Sequence, residues 1–384
     1  MRYISLYAFF FIYYISIGMS TFVPKFYGEL GLSDGQIGVL SSVPTLVALA
    51  STPLLATLTD RVPRKRYLLA ALLLLMALFC FLVAKCVSFG ALLLVVSGYS
   101  VFSTSVNPNA TTIALEYCHQ IHRDYGPIRL LGTVGYQVGA LLVGIILSRT
   151  LNSLYPLMGA VVLAAFAVTF LMPNVEGHQH HREKVPLKLL FADRHVRWLY
   201  AIIFFATVSA QFYMSFYSKH LGDLGMDNAT VSWITLLSVV AELPFLYWGD
   251  RIARKTNIWN WLLVGIVANG VRWLGLAYST TTLPILLFQI PGVTVLACFE
   301  FFPALYLSRK VSPELTGAAQ NILNLTTFGA AKILGSLVGG FICELTGIPA
   351  LLAINGALQL LGAVVLWRFT RRLIAKETVL LLSE

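Results

Sequence analysis

Charge is what this sequence has least of. Only 11% of its 384 residues are Asp, Glu, Lys or Arg, against about 25% in an average soluble domain. With 58% hydrophobic residues and a mean hydropathy of +0.78, that deficit excludes a soluble domain and defines an integral membrane protein. Cysteine is also scarce. The five present, Cys80, Cys86, Cys118, Cys298 and Cys343, lie in or beside apolar runs without metal-ligand spacing, so they read as small buried residues. An acidic metal motif and a Ser/His/Asp arrangement are both missing, which leaves a multi-span membrane enzyme without its chemistry. His178, His180 and His181 offer a metal catch in the central loop, but a solvated linker is the simpler reading. No cofactor and no metal are expected.

What is present is long apolar runs, of helix rather than barrel-strand length. Twelve candidate spans fall at about 4–28, 34–58, 67–85, 89–116, 125–148, 153–172, 195–219, 229–249, 257–278, 283–308, 315–345 and 349–370. The first is too long for the core of a signal peptide and is read as uncleaved. With both termini cytoplasmic, the inside loops hold Arg61, Arg64, Lys65, Arg66, Arg251, Arg254, Lys255 and most other cations. The outside ends hold only Lys25, Lys85, Arg149 and Lys219. That asymmetry fixes the orientation. It also explains the net charge of +10 through lipid headgroups, without nucleic acid.

The chain repeats itself. Asp60-Arg61-Val62-Pro63-Arg64-Lys65 follows the second span, and Asp250-Arg251-Ile252-Ala253-Arg254-Lys255 follows the eighth, 190 residues later. The polar stretch 173–194 lies between spans six and seven. The expected organisation is therefore a six-helix bundle at 1–172, a cytoplasmic linker at 173–194, a second bundle at 195–371 and a tail at 372–384. Such half-repeats mark transporters, with the solute near the bilayer midplane. For Lys65 and Arg66, orientation alone is a sufficient reading. The repeated Asp60, Arg61, Arg64, Asp250, Arg251 and Arg254 form a candidate conformational latch, pairing with neighbouring helix ends.

At this point the chain resembles the major facilitator superfamily. Its two strings are similar to that superfamily's loop motif G-x-x-x-D-R-x-G-R-K, with Ala56 and Pro63, then Leu246 and Ala253, in place of the glycines. The resemblance implies an all-α membrane fold of twelve helices in two pseudo-symmetric halves. Three stretches narrow it to the lactose-permease and phenylpropionate-permease branch: YGPIRLLGTVGY, SVVAEL and NGVRWLGLAYSTT. The branch implies solute binding by Arg129, stacking by Tyr136, solute contact by Glu242 and proton coupling through Arg272. The branch's fourth-helix acid falls at Thr111, its tenth-helix His and Glu fall at Gly292 and Val295, and Lys332 is displaced by about one turn. Lactose itself is therefore not the expected solute, and any proton relay is rearranged.

The residues themselves support this. Ionisable groups inside a membrane are costly and mark function. Arg129 and Tyr136 are seven residues apart and share a helix face, beside Gly132, Gly135 and Gly139, which permit close helix approach. A guanidinium offers a planar fork and a phenol a stacking face. Two readings of Arg129 stay open: a cavity residue, or a snorkel to the inside headgroups. Glu242 and Glu300 each lie eight residues before an inside helix end, where a buried carboxylate near Arg272 is suited to load and release a proton or, more simply, to hold helices together. Glu116 and Glu344 are expected to be interfacial. Asn107-Pro108-Asn109 and Phe302-Pro303 are expected to interrupt helices four and ten, for a cavity or for packing. Lys25, Thr111, Asn107, Gln211, Asn321 and Asn324 complete the solute-binding candidates, and Glu300, Glu242, Arg272 and Lys332 the coupling candidates.

The function expected is proton-coupled symport of a small polar solute: a carboxylate, glycoside or nucleoside. Sodium remains an alternative coupling ion, and proton-driven export of amphipathic compounds an alternative direction. The expected setting is a monomer in the cell membrane, in contact with its solute and the bilayer.

Overall fold

The computed structural model describes residues 2–62, 64–86, 88–148, 150–174, 190–238, 257–292 and 297–381. Regular structure among them is helical throughout, as lipid demands of a backbone that must satisfy its own polar groups. The helices are α1 (Tyr3–Glu29, with a tight turn at Ser20–Phe22), α2 (Asp34–Arg61), α3 (Lys65–Val83), α4 (Phe89–Gln120), α5 (Gly126–Ile146) and α6 (Leu154–Thr169). They continue with α7 (Arg194–Asp223), α8 (228–238 as far as described), α9 (Ile258–Tyr278), α10 (Thr282–Lys310, around residues 293–296), α11 (Pro313–Thr346) and α12 (Ile348–Leu381). Ten of them are long and apolar enough to cross a membrane, and α6 is a shorter apolar helix. The remainder of the eighth expected span, with Glu242, Asp250, Arg251 and Arg254, lies outside the described residues. α12 continues as helix to Leu381, through most of the expected tail.

Local chemistry sets several helix starts. Ser33 and Gln36 close a reciprocal capping box at α2, Ser88 caps α4, and Asn257 caps α9. Gly347, at φ +81°, makes the left-handed turn between α11 and α12.

One expected break is absent. α4 passes through Pro108 unbroken. Pro108 lacks the N–H that would bond one turn back, but neighbouring side chains bond the backbone around it: Asn109 Nδ2 donates to the Ser105 carbonyl and Thr112 Oγ1 to that of Pro108. The other expected break is real. α10 contains a wide, π-type turn at Ala297–Phe301, and Pro303 sits in the first turn of the helical segment that follows. A second wide turn, Leu325–Ala330, interrupts α11.

Contacts divide the chain into two units: Met1–Arg182 with Phe216–Leu236, and Glu183–Ser215 with Leu237–Glu384. In the first unit, α1 packs on α5 and α6, α3 on α4 and α6, and α2 on α4. Glycine makes the α1–α5 contact possible: a Cβ at Gly18, Gly135 or Gly139 would fall 1.9–2.3 Å from a carbonyl oxygen of the opposing helix. The core is built on Leu6, Phe9, Phe10, Tyr13 and Met76. The second unit has its own core around Ile203, Trp259, Ile266 and Phe299, with α9 packed on α12. Gly335 of α11 meets the backbone of Val208 and Phe212 on α7 in the same manner, and Gly339 leaves room for the Phe212 ring.

The residues 216–236 belong to the first unit through polar contacts. Lys219 Nζ lies 3.1 Å from Asp34 Oδ1 and 2.8 Å from Asp223 Oδ2. Ser232 Oγ donates to the Ala140 carbonyl at 2.7 Å, and Asn228 donates to that of Leu147. At the opposite end of the unit, two loop cations do more than set orientation. Lys65 is buried and pairs with Glu116 Oε1 at 2.9 Å, near the end of α4. Arg66 donates to the Phe170 and Met172 carbonyls at the end of α6, where orphan acceptors favour a cation.

Candidate functional site

In the first unit, the helix-five face is completed by α1. The Arg129 guanidinium lies over the Tyr14 ring, 4.8 Å from its centroid. Tyr14 OH donates to Asn107 Oδ1 on α4 at 3.1 Å. Two turns further on, Tyr136 OH and Thr21 Oγ1 are 2.9 Å apart. Tyr14 and Thr21 are seven residues apart, as are Arg129 and Tyr136. Two parallel helices in close contact therefore present the same interval, and their side chains meet in matched pairs. Thr111 and Tyr125 hydroxyls are 3.4 Å apart. Phe10 stacks on Tyr14, and Tyr125 meets Phe10 edge-on. Arg129 itself is exposed, and its guanidinium turns onto the Tyr14 ring. Tyr14 and Thr21 carried no motif; only their heptad match to Arg129 and Tyr136 could have revealed them.

In the second unit, Arg272 of α9 donates through Nε to Gln289 Oε1 of α10 at 3.1 Å. Gln289 Nε2 in turn reaches Tyr213 OH on α7 at 3.3 Å. The guanidinium also lies 5.5 Å from the Tyr213 ring centroid and 4.7 Å from that of Trp273. Trp273 Nε1 donates to Ser209 Oγ, which also accepts from Gln359. Every side chain of this network except Arg272 is buried. The space for Arg272 comes from Gly292, where a Cβ would lie 2.6 Å from Cζ of the guanidinium. Tyr213 therefore belongs to the arginine's network as well as to the core.

The other candidates are spread out. Lys25 Nζ caps the Met226 carbonyl at 3.0 Å within the first unit. Glu300 lies in the wide turn of α10, and Lys332 follows the wide turn of α11; each is half-buried. Gln211 is buried, whereas Asn321 and Asn324 are exposed. Arg64 is exposed, 6.0 Å from the Tyr67 ring centroid. Asp60 and Arg61 end α2, with their side chains outside the described set. No cluster of three His, Cys, Asp or Glu able to hold a metal occurs among the described residues.

Helices joined at glycine seams, two cores and arginines held on aromatic faces inside apolar spans define a multi-pass membrane carrier. The model of the MFS_1 like family matches residues 3–351, and the chain belongs to that family. It is 26% identical over 352 residues to the maltose permease of Geobacillus stearothermophilus, covering 90% of this chain and 88% of that one. It is 24% identical over 351 residues to the probable 3-phenylpropionic acid transporter of Escherichia coli (strain K12), covering 88% and 90%. The crystal structure of the nucleoside transporter NupG shares the fold, with a TM-score of 0.86 at 18% identity over 96% of this chain and 98% of that one. The protein is thus a transporter with the major facilitator fold, and its family is one of membrane carriers, not enzymes.

Proposed function

We propose that the protein is a proton-coupled symporter of a small polar organic solute, working by alternating access in the cell membrane with both termini and the 173–194 linker on the cytoplasmic side. The observation that carries the coupling is Glu300, a half-buried carboxylate in a membrane span, placed in the wide turn of α10. An ionisable side chain inside a membrane span marks function, and a carboxylate is the group that can take up and release the proton. Arg129 and Tyr136 bind the solute, with Asn107 and Thr111 beside them. Glu242 contributes to both tasks, and Arg272 and Lys332 tune the acids. The two D-R-x-x-R-K loops latch the inside ends. Relatives named for maltose, nucleosides and 3-phenylpropionic acid support organic-solute transport.

The test is uptake by proteoliposomes under an imposed proton gradient, with maltose, uridine and 3-phenylpropionate as labelled solutes. Accumulation that collapses with a protonophore supports the reading. Accumulation that follows a sodium gradient instead assigns the other coupling ion, and expulsion of the solute assigns export.

A further inference from the structure

On the reading of alternating access with cytoplasmic termini, we propose that Lys25 and Lys219 form a two-fold clasp. It closes the outside end of the carrier and opens when that end admits solute.

The chain holds a second internal repeat besides its D-R-x-x-R-K strings. Phe22-Val23-Pro24-Lys25-Phe26-Tyr27-Gly28-Glu29-Leu30-Gly31 ends α1. Phe216-Tyr217-Ser218-Lys219-His220-Leu221-Gly222-Asp223-Leu224-Gly225 ends α7, 194 residues later. The two copies fold alike. Each helix stops at its acid, Glu29 or Asp223. Each chain then turns through a glycine in the left-handed region, φ +76° at Gly31 and +81° at Gly225. The Gly31 amide bonds the Gly28 carbonyl at 2.9 Å and the Leu32 amide that of Tyr27 at 3.2 Å. Gly225 and Met226 make the same two bonds to Gly222 and Leu221, at 2.8 and 3.0 Å. This is the paired-bond glycine ending of a helix, built twice.

The copies interlock, and both belong to the first unit. Lysine and glycine are three residues apart in each, so they share a helix face. The Lys25 stem crosses Gly222, where a Cβ would lie 2.8 Å from Lys25 Cε. The Lys219 stem crosses Gly28, where a Cβ would lie 3.3 Å from its Cγ and Cε. Past the glycine, each ammonium reaches the segment that follows the other helix. Lys25 Nζ donates to the Met226 carbonyl at 3.0 Å, and Lys219 Nζ lies 3.1 Å from Asp34 Oδ1. The Lys25 amide also donates to Ser218 Oγ at 3.2 Å. The exchange is reciprocal, as a pseudo-two-fold relation between half-repeats requires.

The chemistry suits a contact that opens. Water takes over a lysine and a carboxylate near the surface at little cost, whereas parting an apolar seam exposes apolar area. Lys219 also holds Asp223 on its own helix at 2.8 Å, and the Asp223 side chain is 54% exposed. Leaving Asp34 therefore does not strand the Lys219 charge. Lys25 gives up only a neutral carbonyl and a hydroxyl.

The experiment labels the full-length chain in right-side-out vesicles with a membrane-impermeant maleimide. Cys86→Ser removes the one partly exposed native cysteine, since the other four are buried. Ser218→Cys, at a buried position within the clasp, is the probe. Lys25→Met and Lys219→Met should each speed its labelling about five- to tenfold, the value of one partly screened charged hydrogen bond, and the double variant more than either. Gly222→Ala should speed it without removing a charge, by displacing the Lys25 stem, and Lys219→Arg should leave it near the natural rate. Native Cys80, fully buried in the same unit, reports unfolding and should stay closed to a membrane-permeant maleimide in every variant. An unchanged rate in the double variant overturns the clasp. Labelling of Cys80 in step with the probe overturns it too, by showing that the lysines hold the fold and not a gate. Ser308→Cys, exposed at the end of α10, tests the orientation separately. Its labelling from outside would overturn the orientation, and with it the clasp's place on the outside, whatever the clasp variants do.

Discussion

Arg272 occupies the space that a side chain at position 292 would need. A Cβ on Gly292 would lie 2.6 Å from the Arg272 Cζ and 2.7 Å from its Nη1, closer than real side chains approach. The arginine is seated on Trp273 and tied to Gln289. Gly292→Ala must displace the guanidinium and break that bond. It should destabilise the detergent-solubilised protein by about 1–3 kcal/mol, the usual range for overpacking. Arg272→Gln should relieve the effect, so the double variant should be less destabilised than the two single effects sum to. Thermal unfolding checks this; a fully stable Gly292→Ala would show that the arginine has room to spare.

The α1–α5 seam gives a prediction with a built-in control. Gly135→Ala would put a methyl 2.3 Å from the Phe11 carbonyl oxygen and force the helices apart. Folded yield should fall sharply, and the Arg129–Tyr14 and Tyr136–Thr21 pairs should be lost with it. Gly90→Ala, in the first turn of α4, meets nothing within 4 Å. It should be neutral or stabilising by up to about 1 kcal/mol, because alanine loses less backbone entropy. Fluorescence size-exclusion profiles of the two variants decide it, and equal profiles would count against the seam.

How much of this was legible without coordinates depends on what each residue's signal is made of. The spans are apolar runs about 20 residues long, which hydropathy shows directly. The bundle repeat is carried by the duplicated Asp60 and Asp250 strings. The seam glycines Gly132, Gly135 and Gly139 stand out beside Arg129. Partners set by helix rotation are different. Nothing local says that Lys65 will reach Glu116, 51 residues away, or that Tyr14 will lie under Arg129. Pro108 was misleading for a physical reason: neighbouring Asn109 and Thr112 side chains bond the helix backbone around it and the helix runs on. Gly292 reads only as an absence in sequence, and its use appears once Arg272 is placed.

The Lys65–Glu116 pair should behave as a partly buried ion pair. Lys65→Met leaves Glu116 without its partner and should cost about 1–3 kcal/mol. The exchange Lys65→Glu with Glu116→Lys should recover a measurable part of that loss. A double-variant cycle on thermal stability is the check, and strict additivity would show that the two charges do not interact.

The contact between Lys219 and Asp34 ties the end of α7 to the start of α2 within the first unit. Asp34→Asn should weaken it while leaving Lys219 paired to Asp223. A single cysteine at Ser218, buried in this unit, should then react faster with a membrane-impermeant maleimide applied outside. An unchanged labelling rate would mean that Asp34 does not hold this end.

The central claim is coupled transport, and Glu300 is where it is tested most directly. The measurement compares wild-type and Glu300→Gln proteoliposomes for two reactions of the same labelled solute: uphill accumulation under an imposed proton gradient, and exchange across a membrane with no gradient. A glutamine at 300 cannot gain or lose a proton, whereas exchange needs only reorientation of the loaded carrier. The account predicts that accumulation falls to the level of the diffusion control while exchange is retained. Undiminished accumulation by Glu300→Gln would contradict it, showing that Glu300 is a structural charge and that coupling runs through Glu242 or a sodium ion.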